Sequence, residues 1–480
     1  EILSHQYLKR FIKSYKADWD NIYSFGRLIS KCIQTNDNYL INSEIFYKNS
    51  WFPALLISLF LNTENSTFVL SSEKIEFFKK HIMKDLKKIG FDFFFKNDQI
   101  IFPKHRISLI TLERLVDDFN YYGFENHRII LTGIENIRID LKDYFRISLS
   151  KEDWIDHINR SSNLNHKNIQ IYNSLKKKFF LRKVIGNNYL ILNQNEISFF
   201  CKFFSENRSF SNLFSRVNFS LKNGWACWVK LDEENFEWNF YLEPIDEIFE
   251  IKKLLSSNKF IFLSAMRKDI FFQKFLKRQN INIDVVVNLK SNFDEKKILI
   301  YTPPKQMLPN NPKFTQEILN NCKKLIIFRS GLTLVLSDDA DLKIRIATEL
   351  AAIYGKRVLL EEIPQSNNNI LCSSYNWWIK NFFLIAVPDQ IIIPLLPIPN
   401  MAEPINDLTI SYNQKLSRDW FREFLLPEAI EKLERSVSPL RRNSGKLIIL
   451  DGRANKRKWG RSLLQLIKPS KHINDMLPFD

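Results

Sequence analysis

The chain has 480 residues, of which 70 are Lys or Arg and 53 are Asp or Glu, so its formal net charge is +17. This length exceeds what one ordinary hydrophobic core supports, and two or three domains are expected. The basic charge favours nucleic acid or another polyanion as a partner. The alternative is a base-composition bias, because the chain is rich in Lys, Asn, Ile and Phe and has only 11 Gly.

The cysteines and histidines exclude several classes of site. There is no C-x-x-C pair and no ligand-like spacing, which indicates a reducing compartment and predicts neither zinc nor an iron–sulfur cluster. The five cysteines are Cys32, Cys201, Cys227, Cys322 and Cys372. The seven histidines are dispersed, so no metal site is predicted. The longest apolar stretch is interrupted by Pro388, Asp389 and Gln390 and cannot be a transmembrane helix. No signal peptide is evident, and the expected location is cytoplasmic.

The first half of the chain alternates strand-like and helical segments. Strands are predicted at Tyr39–Ile41, Thr67–Ser72 and Arg128–Leu131 and in the segment that ends at Ser264, and residues 73–90 have a helical pattern. This alternation is typical of a parallel α/β layer.

A stretch of different character interrupts this half at about residues 165–225. It lacks strand–helix alternation, and we interpret it as an inserted helical subdomain. In residues 224–246, charged and aromatic residues alternate around the sequence DEEN, which predicts antiparallel strands.

A second α/β unit begins near Lys297. Its predicted strands and helices alternate from KILIY through the helix in 340–355 to LIIL at 447–450. The predicted domains are therefore residues 1–275 and 276–480.

Several motifs resemble those of the DinG/XPD-like branch of superfamily 2 DNA helicases. WVKLD and LEPID precede Ser264-Ala265-Met266, as W-x-E-L-D and L-x-P-x-D precede S-A-T in that family. TPPKQMLPNNPKF, IIIPLLPIP and the closing LIILDGR also match its second half in order and spacing. The resemblance implies two RecA-like, P-loop NTPase-type parallel-sheet lobes, with an insertion in the first.

The resemblance also locates the segment that would bind nucleotide. Ser50 falls where the family has its magnesium-binding Ser or Thr, and Lys48 lies one residue away from the position of the phosphate-binding lysine. Asn49 holds the lysine position, and Phe46 stands where a glycine is needed for backbone N–H groups to surround phosphates. The alternative is a plain strand–helix turn.

The two other catalytic motifs are also altered. In the acidic box only Glu135 remains, two positions late, and the alternative is an ordinary acid at a helix N-terminus. In the last motif Arg435, Arg441 and Arg442 miss the expected arginine positions, which hold Ser436 and Pro439. These arginines are candidates for a shifted arginine finger, for a contact with the nucleic-acid backbone, or for a solvated basic face. In the W-E-G-V-D motif Trp378 is kept, but its polar neighbours are replaced.

Eleven Lys or Arg and one acidic residue lie between Arg435 and Lys471, which predicts a nucleic-acid-binding surface. The predicted contact residues are Arg453, Lys456, Arg457, Lys458, Trp459 and Arg461. Trp459 is a candidate for stacking on a base, and the alternative is an interdomain core residue.

Together these features predict a DinG-like, helicase-related protein that binds nucleic acid, with single-stranded DNA as the expected form, and that has little or no ATPase activity. The alternatives are an active ATP-dependent DNA helicase in repair or replication and a structural subunit that binds a protein partner. No cofactor is expected; ATP and magnesium would be needed only by an active motor.

Overall fold

The structure is a computed structural model of the chain. It describes residues 2–15, 22–35, 37–47, 49–122, 128–153, 165–182, 188–206, 225–266, 269–289, 296–326 and 331–474.

The strands and helices are numbered here in chain order. The strands are β1 Tyr39–Asn42, β2 Ser66–Val69, β3 Phe94–Lys96, β4 Gln99–Ile101, β5 Arg106–Ile110, β6 Arg128–Thr132, β7 Ile147–Leu149, β8 Tyr189–Ile191, β9 Ala226–Asp232, β10 Glu237–Glu243, β11 Lys259–Ser264, β12 Val285–Asn288, β13 Ile298–Tyr301, β14 Thr333–Leu336, β15 Val358–Leu360, β16 Ile370–Ser373, β17 Gln390–Ile393, β18 Lys446–Ile449 and β19 Ser470–Ile473. The α-helices are α1 Ile2–Tyr15, α2 Ile22–Gln34, α3 Phe52–Phe60, α4 Ser72–Phe77, α5 Met83–Lys88, α6 Leu112–Tyr122, α7 Ile137–Phe145, α8 Asn165–Phe180, α9 Gln194–Glu206, α10 Lys252–Ser257, α11 Ile270–Arg278, α12 Phe314–Ile326, α13 Ala340–Tyr354, α14 Tyr375–Asn381, α15 Pro404–Lys415, α16 Leu426–Val437, α17 Arg453–Lys456 and α18 Lys458–Leu466.

The first lobe is built on an eight-stranded sheet in the order β12-β1-β11-β6-β2-β5-β4-β3. Its first six strands are parallel, and the β3–β4 hairpin is antiparallel at one edge. All four strands predicted for this half are present. Because β12 pairs with β1, the first sheet continues to Asn288, beyond the boundary predicted at residue 275. The chain passes from one sheet to the other between Asn288 and Ile298.

The second lobe has a seven-stranded, fully parallel sheet in the order β15-β16-β14-β17-β18-β13-β19. The strands β1, β2, β14, β16 and β17 are buried at every residue. Strands covered by helices on both faces are expected to be continuously apolar, as the sequence of β17 is after Gln390.

A separate four-stranded antiparallel sheet, β7-β10-β9-β8, stands beside the first lobe. The β9–β10 hairpin is the antiparallel pair predicted in residues 224–246. The insertion contains the helices α8 and α9, and it also contains β8, which pairs with β9. The insertion is therefore mixed rather than purely helical over the part that is described; residues 207–224 lie outside the described residues.

Candidate functional site: the interlobe cleft and the basic segment

The carboxyl ends of β1, β6 and β11 meet at one edge of the first sheet, because the three strands are parallel neighbours. Ligands of open α/β sheets bind at this edge. The helix α16 of the second lobe faces it, since Arg435 Nη1 donates a hydrogen bond to the Glu135 carbonyl oxygen at 2.7 Å. The interlobe cleft is thus the position at which a nucleotide would be bound.

The segment after β1 does not form a phosphate loop. Residues Glu44–Tyr47 form a single 3₁₀ turn, and the amide of Phe46 already donates to the Ser43 carbonyl oxygen at 3.1 Å. Phe46 is buried and packs against Trp51, with ring centroids 5.2 Å apart. Apolar rings and a closed turn leave no cradle of free N–H groups for phosphate.

Of the two residues predicted to bind nucleotide, Lys48 lies outside the described residues. Ser50 is described, and its Oγ is buried with no hydrogen-bond partner among the described residues.

Glu44 brings a negative charge to the place where phosphates would lie. Its carboxylate lies 3.7 Å from Arg441 Nε, and the Glu44 side chain is 11 % exposed. Arg441 is itself buried and donates from Nη2 to the Ile467 carbonyl oxygen at 2.7 Å. A polyphosphate would have to displace this pair or approach the carboxylate, and like charges at such range repel.

The acidic box is occupied by contacts within the first lobe. Thr132 Oγ1 donates to the Val69 carbonyl oxygen at 2.9 Å, so this side chain serves the sheet. Glu135 is buried, and its Oε2 accepts from the Ala265 backbone N–H at 2.9 Å. This bond ties the end of β6 to the end of β11.

The structure separates the three arginines of the last motif. Arg435 and Arg441 are 1 % and 3 % exposed, so the prediction of a solvated basic face is wrong for both. Both are drawn into the cleft because carboxylates and carbonyl groups of the first lobe compensate their charge there. Arg442 is half-buried, and its carbonyl oxygen accepts from Lys296 Nζ at 2.9 Å.

Carboxylates that the sequence did not single out surround Arg435. Burial raises the pKa of Glu431 to about 7 although Arg435 lowers it, and the Glu431 carboxylate lies 3.7 Å from Arg435 Nη1. Burial and then the charge of Asp269 raise the pKa of Glu434 to about 8. Burial likewise raises the pKa of Asp269 to about 6, although its Oδ2 accepts from Ser264 Oγ at 2.9 Å. These groups are spread over 166 residues, so no local pattern indicates them.

A second charged group on the same interface is well compensated. Burial opposes ionisation of Glu428, but Lys142, Lys432 and Arg138 together lower its pKa to about 2. Arg138 Nε also donates to Glu247 Oε1 at 2.6 Å. Opposite charges from both lobes therefore meet here and hold the lobes together.

A cleft of about 160 Å³ adjoins these groups. It lies between α11 of the first lobe and the start of α16 in the second, and Arg278 Nη1 crosses it to the Glu423 carbonyl oxygen at 3.2 Å. A nucleoside triphosphate needs a larger space than this.

The predicted nucleic-acid-binding residues fall into two groups. Arg453 is engaged with Asp451, to which its Nη2 donates at 2.7 Å, so it is not available on the surface. Four further cations are exposed and form no ion pair within the described part of the chain: Lys456, Arg457, Lys458 and Arg461. The segment from Arg435 to Lys471 is therefore not one continuous basic face.

Two tryptophans of the second lobe have structural contacts. Trp459 is half-buried against the core, and its ring lies 5.6 Å from that of Phe421. Trp378 is fully buried, and its Nε1 donates to the Ser436 carbonyl oxygen at 2.9 Å. The family tryptophan is thus kept as a packing residue that connects α14 to α16.

Among the described residues, no helix is long and apolar enough to cross a membrane. In the same part of the chain, no group of three or more His, Cys, Asp or Glu is placed to hold a metal ion.

No protein-family model and no curated protein matches the chain in sequence. Three solved structures match it over nearly its whole length. An XPD helicase is 12 % identical, covers 95 % of this chain and 99 % of its own, and superposes with a TM-score of 0.62. Apo XPD covers 94 % of this chain and 100 % of its own at 12 % identity, with a TM-score of 0.59. Xpd4 from S. tokodaii covers 94 % and 99 % at 12 % identity, with a TM-score of 0.57. The chain therefore has the fold of the XPD helicases, and the two-lobe α/β architecture expected from its motifs is confirmed.

Proposed function

We propose that this chain is a nucleic-acid-binding protein that keeps the two-lobe scaffold of a helicase but does not hydrolyse ATP. The observation that carries the proposal is the pair between Glu44 and Arg441, 3.7 Å apart across the cleft. Phosphoryl transfer depends on positive charge around the γ-phosphate, and the loss of one arginine finger alone costs roughly 10³–10⁵ in rate. Here the arginines neutralise the protein's own carboxylates.

We expect no ATP binding at micromolar concentration. Phe46 and Trp51 fill the loop after β1, and the amides there are already bonded. Isothermal titration calorimetry of the chain with Mg-ATP should show no heat of binding, and ATPase activity should not rise when single-stranded DNA is added. A micromolar affinity that Lys48→Ala abolishes would contradict this prediction and would favour the active helicase, the alternative supported by a fold match over 95 % of the chain.

The support for nucleic-acid binding is the net charge of +17 and the exposed cations of the closing segment, which have no carboxylate partner in the described residues. Lys456 and Arg457 end α17, and Lys458 begins α18, so the charges spread over a turn and suit a sugar–phosphate backbone better than a base-reading pocket. Because all nucleic acids carry this backbone, affinity through these residues should depend little on sequence.

The triple variant Lys456→Ala/Arg457→Ala/Lys458→Ala tests this surface. Each phosphate contact to a single strand contributes about −0.7 to the slope of log K against log salt, so the variant should flatten the slope by about two units. Fluorescence anisotropy with labelled strands of different sequence at several salt concentrations measures it. The charge-neutral control Asn455→Ala should keep the slope. An unchanged slope in a folded triple variant would remove this surface from the proposal, and absence of binding at low salt would favour the protein-binding subunit instead.

A further inference from the structure

The β3–β4 hairpin forms an exposed three-stranded face at the edge of the first sheet, together with β5. The chain turns between β3 and β4 at Asn97 and Asp98, both with positive φ, as a two-residue hairpin requires. The register is fixed: Phe94 is opposite Ile101, which is opposite Arg106. Directly opposed residues point to the same side of a sheet.

The inner side of this hairpin is core, and the outer side is not. Ile100 and Ile107 are fully buried. On the outer side Phe94 is 74 % exposed and Ile101 is 37 % exposed, although a phenyl ring in water costs free energy that burial would recover. An exposed aromatic ring on a rigid strand next to a second apolar residue is a common feature of binding surfaces.

The charges on this face are positive. Lys96 follows Phe94 on the same side of β3, and Arg106 stands on β5; both are exposed, and neither forms an ion pair in the described residues. The strand residues of the face include no acid: they are Phe94, Lys96, Gln99, Ile101, Arg106 and Ser108. Asp98, in the turn, is neutralised by Lys79 at 3.0 Å and Arg114 at 3.6 Å. The acid closest to the face along the chain is Asp92, before β3.

The spacing suits one nucleotide and its phosphates. Strand geometry places Lys96 roughly 7 Å from Phe94 along β3 and Arg106 about 10 Å away across β4. We propose that this face binds single-stranded nucleic acid, with a base stacked on Phe94 and the neighbouring phosphates held by Lys96 and Arg106. Aromatic stacking between cations is how single strands are held without sequence preference. The inference rests on the proposed function and adds a second contact surface to it.

Replacing Phe94 by Ala tests the stacking contact. Affinity for a labelled thymidine strand should fall roughly 5- to 100-fold, the range for loss of one stacked base. The slope of log K against log salt should stay the same, because stacking releases no counterions. Phe94→Trp should retain affinity. Lys96→Ala/Arg106→Ala should instead flatten the slope by about 1.4 units, at about 0.7 per phosphate contact.

Phe236 provides the matched control. It is a 62 % exposed phenylalanine in a hairpin turn, but it follows Glu233 and Glu234, so phosphates are not attracted there. Phe236→Ala should leave the affinity unchanged. Equal affinity of Phe94→Ala and the parent chain would overturn this inference while the proposed function stands. The inference would also be overturned if Phe94→Ala only abolished self-association in sedimentation, because the face would then join copies of the chain. If the parent chain itself failed to bind, both proposals would fall.

Discussion

Replacement of Arg435 by Ala is expected to lower the free energy of unfolding by about 3–5 kcal/mol, the usual cost of removing one member of a buried charged group. The guanidinium is 1 % exposed and reaches across the interface to the Glu135 carbonyl oxygen at 2.7 Å. Its removal leaves that carbonyl oxygen without this bond and leaves Glu431, 3.7 Å away, without its cation. Urea denaturation followed by circular dichroism measures the difference.

Arg422→Ala is the matched control for this prediction. Arg422 is also in the second lobe, and its side chain is 79 % exposed with one loose contact of 3.7 Å to Asp419. Surface pairs of this kind contribute about 0–1 kcal/mol, so the control should unfold almost as the parent does. Equal stability of Arg435→Ala and Arg422→Ala would show that Arg435 does not join the lobes. It would also reopen the possibility that this arginine is free to reach a nucleotide.

Local patterning was enough to predict most of the strands that build the two parallel sheets. The run Leu447–Leu450 is apolar and short because β18 is covered on both faces, and the same is true of β17. Strands of this kind show themselves in one sequence, since each residue of the strand must be apolar irrespective of its partner.

Elements whose character depends on distant partners could not be predicted in this way. β12 alternates between half-buried and exposed residues, and only its pairing with β1, more than 240 residues earlier, makes it part of the first sheet. The β3–β4 hairpin also escaped notice, because the run of aromatic residues from Phe93 to Phe95 hides the alternation between its inner and outer faces.

The chemistry of the cleft was partly predictable for the same reason. The missing glycines around Phe46 are a local fact, and they correctly indicated a turn that differs from a phosphate loop. The burial of Arg435 and Arg441 is a property of the interface between two lobes. A dense run of basic residues in sequence therefore suggested one surface, whereas folding directs two of its members inward and four outward.

The stability of the chain should decrease as pH rises from about 5 to about 8. Burial raises the pKa of Glu434 from 4.5 to about 8 and that of Glu431 from 4.5 to about 7. In this pH range the folded state therefore keeps protons that the unfolded state has already released. Stability is then greatest below the unfolded pKa and is lost as each folded pKa is passed. Each such carboxyl contributes up to about 1.4 kcal/mol per pH unit.

Glu434→Gln isolates one of these groups, because Gln is neutral at every pH and nearly the same shape. Asp269, Glu431 and Glu44 face Glu434 with negative charge, and Arg441 faces it with positive charge. Removal of the ionisable group should flatten the dependence of the unfolding free energy by up to about 1.4 kcal/mol per pH unit and make the variant the more stable form above about pH 7. Glu349→Gln, at a side chain 49 % exposed, should keep the parent's slope. Urea titrations at several pH values give the slopes. A parent slope of zero, or a positive one, would mean that the carboxylates in the cleft are ionised in the folded chain and that the cations around them suffice to neutralise them.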